Sequence, residues 1–185
     1  MMTIQMQVPF SEEAARSLRA GDTLSLSGII YTARDAAHKR LTALLEEGKA
    51  LPFDLQGQVI YYVGPCPAKP GQVIGSAGPT TSSRMDAYAP RLIQQGLKGM
   101  IGKGLRSKEV IEAMKAQGAV YLGAIGGAGA LIARSIVKEE IIAFPELGPE
   151  AVRKLEVKDF PAVVIIDSQG NNLYETGREA YRIDG

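Results

Sequence analysis

The sequence is 185 residues long, with 45% hydrophobic and 22% charged residues, so it can bury one good core and has an ordinary globular composition. Lysine and arginine total 21 against 20 aspartate and glutamate, and the resulting net charge of +1 excludes a bulk basic field for nonspecific nucleic-acid binding. No apolar run is long enough to span a membrane. The N-terminus lacks a signal-peptide pattern, so we expect a single domain over residues 1–185 in a cytoplasmic protein.

The first half of the chain alternates predicted strands and helices. Thr3 to Val8 and Thr23 to Tyr31 have the alternation of strands, and Ser11 is typical of the cap before a helix. A second helix is expected from Asp35 to Glu47, where apolar residues recur at helical spacing. Gln58 to Val63 predicts a further strand, and the three prolines that follow predict a rigid loop.

The second half continues this alternation. A helix is predicted from Ser82 onward, because apolar residues after it recur at helical spacing, and Ser107 is a predicted helix cap. The remaining predicted elements are strands over 98–101, 119–125, 140–144 and 161–167, helices over 108–117 and 130–137, a glycine turn over 126–129, and a hairpin-type turn over 168–171 leading into Leu173 and Tyr174. The predicted class is mixed α/β, with three layers or nearly so.

Cys66 is the only cysteine. A single thiol excludes a disulfide within the chain and also a zinc or iron-sulfur site built from several thiolates of this chain. The sequence therefore predicts that this chain alone holds no metal.

The segment Gly78 to Asp86 reads Gly-Pro-Thr-Thr-Ser-Ser-Arg-Met-Asp. It combines a tight turn, four consecutive hydroxyl side chains and the Arg84 guanidinium at the predicted start of a helix. Backbone N–H groups at a helix N-terminus, the positive end of its dipole and an arginine all favour a carboxylate or phosphate. Spacing alone leaves equally open that Thr81 or Ser82 is only a helix cap and that Arg84 is solvated.

Two further cations follow predicted strands. Arg34 precedes the helix that carries His38, Lys39 and Arg40, where an anion would meet the end of a sheet, although a solvated basic surface is the commoner origin of such a cluster. Lys103 lies between two glycines, which would let the backbone approach a ligand, but the segment lacks the P-loop pattern. His38, the only histidine, is either an acid-base group or a structural residue.

Four blocks of the sequence together resemble the beta subunit of class I, iron-sulfur-dependent fumarate hydratases. They also resemble the C-terminal domain of the single-chain versions and the beta subunit of L-tartrate dehydratase. The blocks are Ala33-Arg-Asp-Ala-Ala-His-Lys-Arg40, Gly78-Pro-Thr-Thr-Ser-Ser-Arg-Met-Asp86, Gly102-Lys-Gly104 and Phe144-Pro-Glu-Leu-Gly148. The resemblance runs from about Gly21 to the last predicted strands.

The resemblance implies a swivelling β/β/α domain in a hydro-lyase that interconverts fumarate and L-malate, a reaction of the tricarboxylic acid cycle. It implies an oxygen-sensitive [4Fe-4S] cluster held by cysteines of a separate alpha subunit, which agrees with the lone Cys66. The alpha subunit is then an obligatory partner, the substrate is a small dicarboxylate, and the chain is also expected to self-associate.

The same resemblance assigns roles to individual residues. Thr80 matches the base that removes a proton from C3 of the substrate, activated by a carboxylate of the partner. Arg34, Arg84 and Lys103 match ligands of the substrate carboxylates. The residues expected to complete the cradle are Thr81, Ser82 and Ser83.

The choice of substrate rests on two details. Ser82-Ser83 stands where single-chain fumarases usually show Ala-Gly, and the tartrate enzymes share the Thr-Thr-Ser pattern. Phe144 to Gly148 resembles the fumarases more closely, so fumarate hydratase is expected. L-tartrate dehydratase or another hydroxy-diacid dehydratase is the alternative within this class, and a non-catalytic anion-binding module is the alternative outside it.

Overall fold

The computed structural model describes residues 2–124 and 129–179. Strands and helices alternate along the chain, as predicted, and the class is mixed α/β. The strands are β1 (Thr3–Val8), β2 (Thr23–Thr32), β3 (Val59–Tyr61), β4 (Gly99–Gly102), β5 (Val120–Ala124), β6 (Ile136–Ala143) and β7 (Val152–Ile166). The α-helices are α1 (Glu12–Ser17), α2 (Asp35–Glu46), α3 (Ala89–Gln94), α4 (Lys108–Gln117), α5 (Gly129–Arg134) and α6 (Leu173–Glu179), and 3-10 helices span Ser82–Met85 and Pro145–Glu150.

The seven strands of the described residues form one sheet in the order β1-β2-β3-β4-β5-β7-β6. Strands β1 to β5 are parallel, whereas β7 runs antiparallel to both β2 and β5. The pairings β2-β3-β4-β5-β7-β2 therefore close into a ring, with β6 hydrogen-bonded to the first part of β7. Because β2 to β5 are parallel, their carboxyl ends share one edge, which is where ligands of α/β sheets usually bind.

Alternate residues of the strands supply two hydrophobic clusters, because successive strand side chains point to opposite faces. The first cluster draws on all five strands of the ring, with Leu26, Tyr61 and Phe160 among its members. The second packs α2, α3 and α4 against the other face of β3, β4 and β5, around residues such as Ile60 and Met100. Each fully buried leucine or isoleucine stabilises the fold by roughly 1.5–3 kcal/mol.

The predicted helix caps at Ser11 and Ser107 are confirmed. Ser11 Oγ accepts the backbone N–H of Ala14 at 3.0 Å, and Ser107 Oγ accepts that of Val110 at 3.3 Å. These bonds satisfy N–H groups that have no partner within the helix. Helix α4 therefore begins at Lys108, where the sequence predicts, four residues after Gly104.

The helix predicted from Ser82 onward is wrong as a single element. A one-turn 3-10 helix spans Ser82–Met85, and α3 begins only at Ala89. Pro90 lies in the first turn of α3, and proline has no N–H to continue a helix from the preceding turn. The loop that begins at Gly78 therefore leads into a short turn without the dipole of a long helix.

Other boundaries also differ from the prediction. The strand predicted over 140–144 begins four residues earlier, at Ile136, and ends at Ala143. The helix predicted over 130–137 ends at Arg134, and Ile136 already begins β6. The strand predicted to start at Pro161 starts at Val152, since Pro161 is accommodated within β7. The predicted hairpin-type turn over 168–171 is confirmed by the antiparallel bridge between Ile166 and Asn172. Leu173 and Tyr174, which follow it, belong to α6, because Asn172 Oδ1 accepts the N–H of Tyr174 at 3.1 Å, a helix-initiating contact.

Two predictions fall partly outside the described residues. The glycine turn over 126–129 lies outside them except for residue 129, and the last residue of the strand predicted over 119–125 also lies outside. Among the helices that the structure describes, none has the length and apolar character needed to cross a membrane.

Candidate active site

The loop that begins at Gly78 is held to the ends of β3 and β4 by backbone hydrogen bonds. The N–H of Thr80 donates to the carbonyl of Tyr62 at 2.7 Å. Thr81 pairs with Lys103 in a parallel bridge, in which Ser82 N–H donates to Lys103 O at 2.8 Å and Lys103 N–H to Thr80 O at 3.3 Å. The loop thus extends the sheet beyond the strands, and it brings the threonines beside the lysine.

Arg34 lies between β2 and α2, as the N-cap residue of that helix. Its guanidinium packs over Gly64, where a Cβ would lie 2.9 Å from Nη1, so a larger residue there would push the guanidinium aside. Its Nε is buried without a hydrogen-bond partner among the described residues and lies 3.8 Å from Glu150 Oε1. That separation exceeds a hydrogen bond, so Glu150 leaves donor capacity at Arg34 unused.

Arg84 reaches from the 3-10 helix to the start of α2. Its Nε lies 3.6 Å from Asp35 Oδ2, and 55% of its side chain is exposed. Because Asp35 follows Arg34 in the chain, the pair brings the two arginines to the same end of α2. Among the described residues Lys103 forms no ion pair, and its side chain is exposed. The three cations Arg34, Arg84 and Lys103 therefore lie at the edge of the sheet that the carboxyl ends of β2 to β4 form.

The hydroxyl residues of the loop divide into two kinds. Thr81 and Ser83 are exposed, Thr80 is half-buried, and the Thr80 hydroxyl has no hydrogen-bond partner among the described residues. Ser82 is completely buried, and its Oγ lies 2.8 Å from the hydroxyl of Tyr121. The side chain of Ser82 therefore lies beneath the loop, on Tyr121, and does not line its exposed surface.

A buried arginine beneath the loop, Arg106, was not predicted from the sequence. The Arg106 side chain is 0% exposed, and its Nε donates to Asp86 Oδ1 at 2.8 Å. Its Nη2 donates to the hydroxyl of Tyr62 at 3.1 Å, and its Cζ lies 5.2 and 4.9 Å from the ring centroids of Tyr62 and Tyr121. Asp86 Oδ2 also accepts the N–H of Ser107 at 2.7 Å. Asp86 thus joins the end of the loop to the start of α4.

The electrostatics of this cluster follow from burial. Burial lowers the pKa of Arg106, but Tyr62 and Asp86 outweigh that effect and raise it. Burial also raises the pKa of Tyr62 and of Tyr121. Both phenols therefore stay protonated, and Tyr121 retains a proton to donate.

His38 lies in the first turn of α2, and its side chain is completely buried. Its Nδ1 lies 2.9 Å from the carbonyl of Arg34, and since a carbonyl only accepts, Nδ1 carries the proton. Burial lowers the pKa of His38 to about 4, so the ring is neutral. Its Nε2 is buried without a hydrogen-bond partner among the described residues. The geometry assigns His38 to the support of α2, next to Arg34.

The described residues provide no metal site beside the loop. No group of three or more histidine, cysteine, aspartate or glutamate side chains there could hold a metal ion, and Cys66 is exposed. A cavity of about 620 Å³ lies on β6 and β7, lined by residues such as Val137 and Lys154 and by none of the predicted site residues. Thr81, Ser83, Arg84 and Lys103 are all exposed, so the cationic loop presents an open surface.

This arrangement can bind a small dianion. Two guanidinium groups and an ammonium provide planar and point charges for two carboxylates, and exposed hydroxyl groups add hydrogen bonds. The fold and the site thus define a mixed α/β domain that presents cations and hydroxyl groups together on an open face.

Comparison with known proteins makes the assignment specific. The family described as Fumarase C-terminus matches residues 1–177, and the chain belongs to that family. This confirms the resemblance on which the sequence interpretation relies.

Relatives of two kinds match the chain. The class I aerobic fumarate hydratase of Escherichia coli strain K12 is 44% identical over 154 residues, covering 82% of this chain and 28% of the relative. A putative class I fumarate hydratase of Geobacillus stearothermophilus is 42% identical over 177 residues, covering 93% of this chain and 34% of the relative. The putative L(+)-tartrate dehydratase subunit beta of Methanocaldococcus jannaschii is 41% identical over 171 residues, covering 89% of this chain and 88% of the relative. The chain thus spans about a third or less of these fumarate hydratases and nearly all of the tartrate dehydratase subunit.

Proposed function

We propose that this chain is the beta subunit of a class I hydro-lyase that interconverts fumarate and L-malate together with an alpha subunit. The observation that carries the proposal is the convergence of Arg34, Arg84 and Lys103 with Thr80 and Thr81 at one edge of the sheet. Family membership and the names of the relatives support the same class of reaction.

The cations are suited to the two carboxylates of the substrate. Arg34 and Arg84 face Glu150 and Asp35 at 3.8 and 3.6 Å, distances too long for hydrogen bonds. A substrate carboxylate can therefore take over these contacts with shorter, charge-assisted bonds. Lys103, with no ion pair among the described residues, would bind the second carboxylate or the far side of the first.

Thr80 is the proposed base for the proton at C3. A threonine hydroxyl is a poor base unless another group takes its proton, and the Thr80 hydroxyl has no such partner among the described residues. We infer that the activating carboxylate comes from the alpha subunit. The isolated chain should then bind diacids weakly and turn over none.

The remaining loop residues divide between binding and support. Thr81 and Ser83, which are exposed, would complete the cradle with their hydroxyl groups. Ser82, with its Oγ on Tyr121, would contribute through the position that it imposes on the loop. The open surface of the loop supports a site that is closed only when the partner docks.

The partner would also carry the [4Fe-4S] cluster. The described residues of this chain do not fit that group, since one exposed cysteine cannot replace several thiolate ligands. We accordingly assign to this chain only carboxylate binding and the proton at C3. A swivelling, three-layered β/β/α domain spanning the whole chain, self-association and a cytoplasmic location complete the proposal.

L-tartrate dehydratase is the second candidate, and one observation favours it. The tartrate dehydratase subunit of Methanocaldococcus jannaschii is matched over 88% of its length, whereas 28% of the Escherichia coli fumarate hydratase is matched. A separate beta chain is thus the form that the tartrate relative takes. The loop residues serve either diacid, because both substrates present two carboxylates.

Anaerobic reconstitution tests the proposal. The chain is coexpressed with the alpha-type protein of its own genome, and the complex is assayed with fumarate, L-malate and L(+)-tartrate, with each chain alone as the control. We expect turnover of fumarate and malate by the complex and none by either chain. Turnover of tartrate alone would select the second candidate, and a complex inactive on all three diacids would contradict the proposal.

A further inference from the structure

The hydroxyl of Tyr121 connects the threonine loop to the lysine turn. It lies 2.8 Å from Ser82 Oγ and 2.8 Å from the carbonyl of Gly104. A carbonyl only accepts, so the Tyr121 hydroxyl donates its one hydrogen bond to the carbonyl of Gly104. It accepts a hydrogen bond from the hydroxyl of Ser82. The hydrogen-bond chain therefore runs from Ser82 through Tyr121 to Gly104 in one direction, with every group satisfied.

The surroundings of this chain of bonds are fixed. Tyr121 lies on β5 and is completely buried, and the Arg106 guanidinium lies 4.9 Å from its ring centroid. Gly102 is required for the contact, because a Cβ there would lie 2.0 Å from Ser82 Oγ. Gly102 thus lets the loop approach closely enough for Ser82 to reach Tyr121.

We propose that Tyr121 is a positioning residue, whose hydroxyl sets the distance between Lys103 and the Thr80–Arg84 loop. Ser82 directly follows the two threonines, and Gly104 directly follows the lysine, so one hydroxyl ties both halves of the cradle to β5. This inference rests on the proposed function, in which Lys103 and the loop bind the two ends of one dianion. Tyr121 acts through them and does not touch the substrate.

The consequence for binding follows from the geometry. A fixed distance between Lys103 and the cation of the loop matches one length of diacid. Without the Tyr121 hydroxyl, Lys103 is free to move away from the loop. We expect Tyr121→Phe to raise the apparent KM for the diacid about fivefold, with a smaller change in kcat. Lys103→Ala alone should raise KM about tenfold or more, and adding Tyr121→Phe to it should change KM little further.

The experiment combines two measurements on the same variants. KM and kcat are determined for the reconstituted complex with wild type, Tyr121→Phe, Lys103→Ala and the double variant. Amide hydrogen exchange of the full-length chain is followed at Ser82 and Lys103, and we expect exchange about fivefold faster in Tyr121→Phe. Thr42→Val is the control, because it removes another buried hydroxyl that bonds only to carbonyls of α2.

The outcomes separate this inference from the proposed function. Faster exchange at both amides with non-additive KM effects supports the positioning role. An unchanged KM in Tyr121→Phe, effects that add to those of Lys103→Ala, or a Thr42→Val variant that behaves the same would overturn it. If the wild-type complex turns over no diacid, the proposed function fails, and the hydrogen-exchange data alone decide on Tyr121. Faster exchange at Ser82 and Lys103 in Tyr121→Phe then supports the positioning role, and unchanged exchange overturns it.

Discussion

Arg106 and Asp86 form an ion pair beneath the candidate active site, with Nε 2.8 Å from Oδ1 and the arginine side chain fully shielded from solvent. The aspartate closes the Gly78 to Asp86 loop, and the arginine precedes the cap of α4. Removing one partner of such a pair leaves an uncompensated buried charge, which is far more destabilising than the loss of a surface pair. The loop and α4 should therefore depend on each other for stability.

Asp86→Asn tests this dependence. We expect the free energy of unfolding to fall by about 3 kcal/mol, since Arg106 would lose its carboxylate in a buried environment. Urea denaturation of the isolated chain measures the change. Glu112→Gln is the matched control, because its carboxylate pairs with Lys115 on an exposed helix face and should contribute less than about 1 kcal/mol. Equal losses in the two variants would contradict the buried-pair account.

Gly102→Ala should destabilise the chain by overpacking. A Cβ at residue 102 would lie 2.0 Å from Ser82 Oγ and 2.9 Å from Tyr62 Cδ2, so the loop would have to shift. A loss of about 1–3 kcal/mol in the free energy of unfolding is expected, partly recovered by adding Ser82→Ala. Gly177→Ala, with nothing within 4 Å of the added Cβ, is the control and should be neutral or stabilising. Failure of Ser82→Ala to recover any stability would place the strain elsewhere.

His38 makes stability depend on pH. Burial, the first cause, lowers its pKa to about 4 in the folded chain, against about 6.5 in the unfolded chain. Between these values the unfolded state binds a proton that the folded state does not, so stability falls as pH drops from 6.5 to 4. The loss is on the order of 3 kcal/mol. His38→Asn, which keeps a donor near Nδ1, should remove this part of the slope in urea denaturation at pH 7 and pH 5. An identical slope in the variant would show that other groups produce it.

Lys103→Ala should weaken substrate binding more than turnover. The contact of an ammonium with a carboxylate is worth roughly 1.5–3 kcal/mol, so KM should rise about 10- to 100-fold. Steady-state kinetics of the reconstituted complex measure this, with Lys108→Ala on the exposed start of α4 as the control. A KM unchanged in Lys103→Ala would remove Lys103 from the site.

Local signals predicted much of the fold. The capping serines at 11 and 107, the alternation of Thr23 to Tyr31 and the helical spacing after Asp35 each depend on neighbours in sequence, and the structure confirms them. The helix from Ser82 was wrong because apolar spacing was followed across Pro90, where proline interrupts helical hydrogen bonding. Helix α6 was not predicted, although Asn172 is a capping residue type and lies directly before it.

The candidate site was predicted only in part, for a different reason. Thr80, Arg84, Arg34 and Lys103 stand in blocks that the family resemblance singles out. Arg106 gave no such signal, because an arginine next to the Ser107 cap, in a short connection before a helix, looks like solvated surface charge. Its burial depends on Tyr62, Asp86 and Tyr121, which lie 44, 20 and 15 positions away and meet only in the folded sheet.

Thr80→Ala in the reconstituted complex tests most directly whether the Gly78 to Asp86 loop is half of an active site. The variant should assemble with the alpha subunit, as judged by gel filtration, and keep the same iron content. Its kcat should fall by roughly 10²–10⁴-fold, as expected for loss of a general base. A Thr80→Ala complex that turns over fumarate at the wild-type rate would contradict the account.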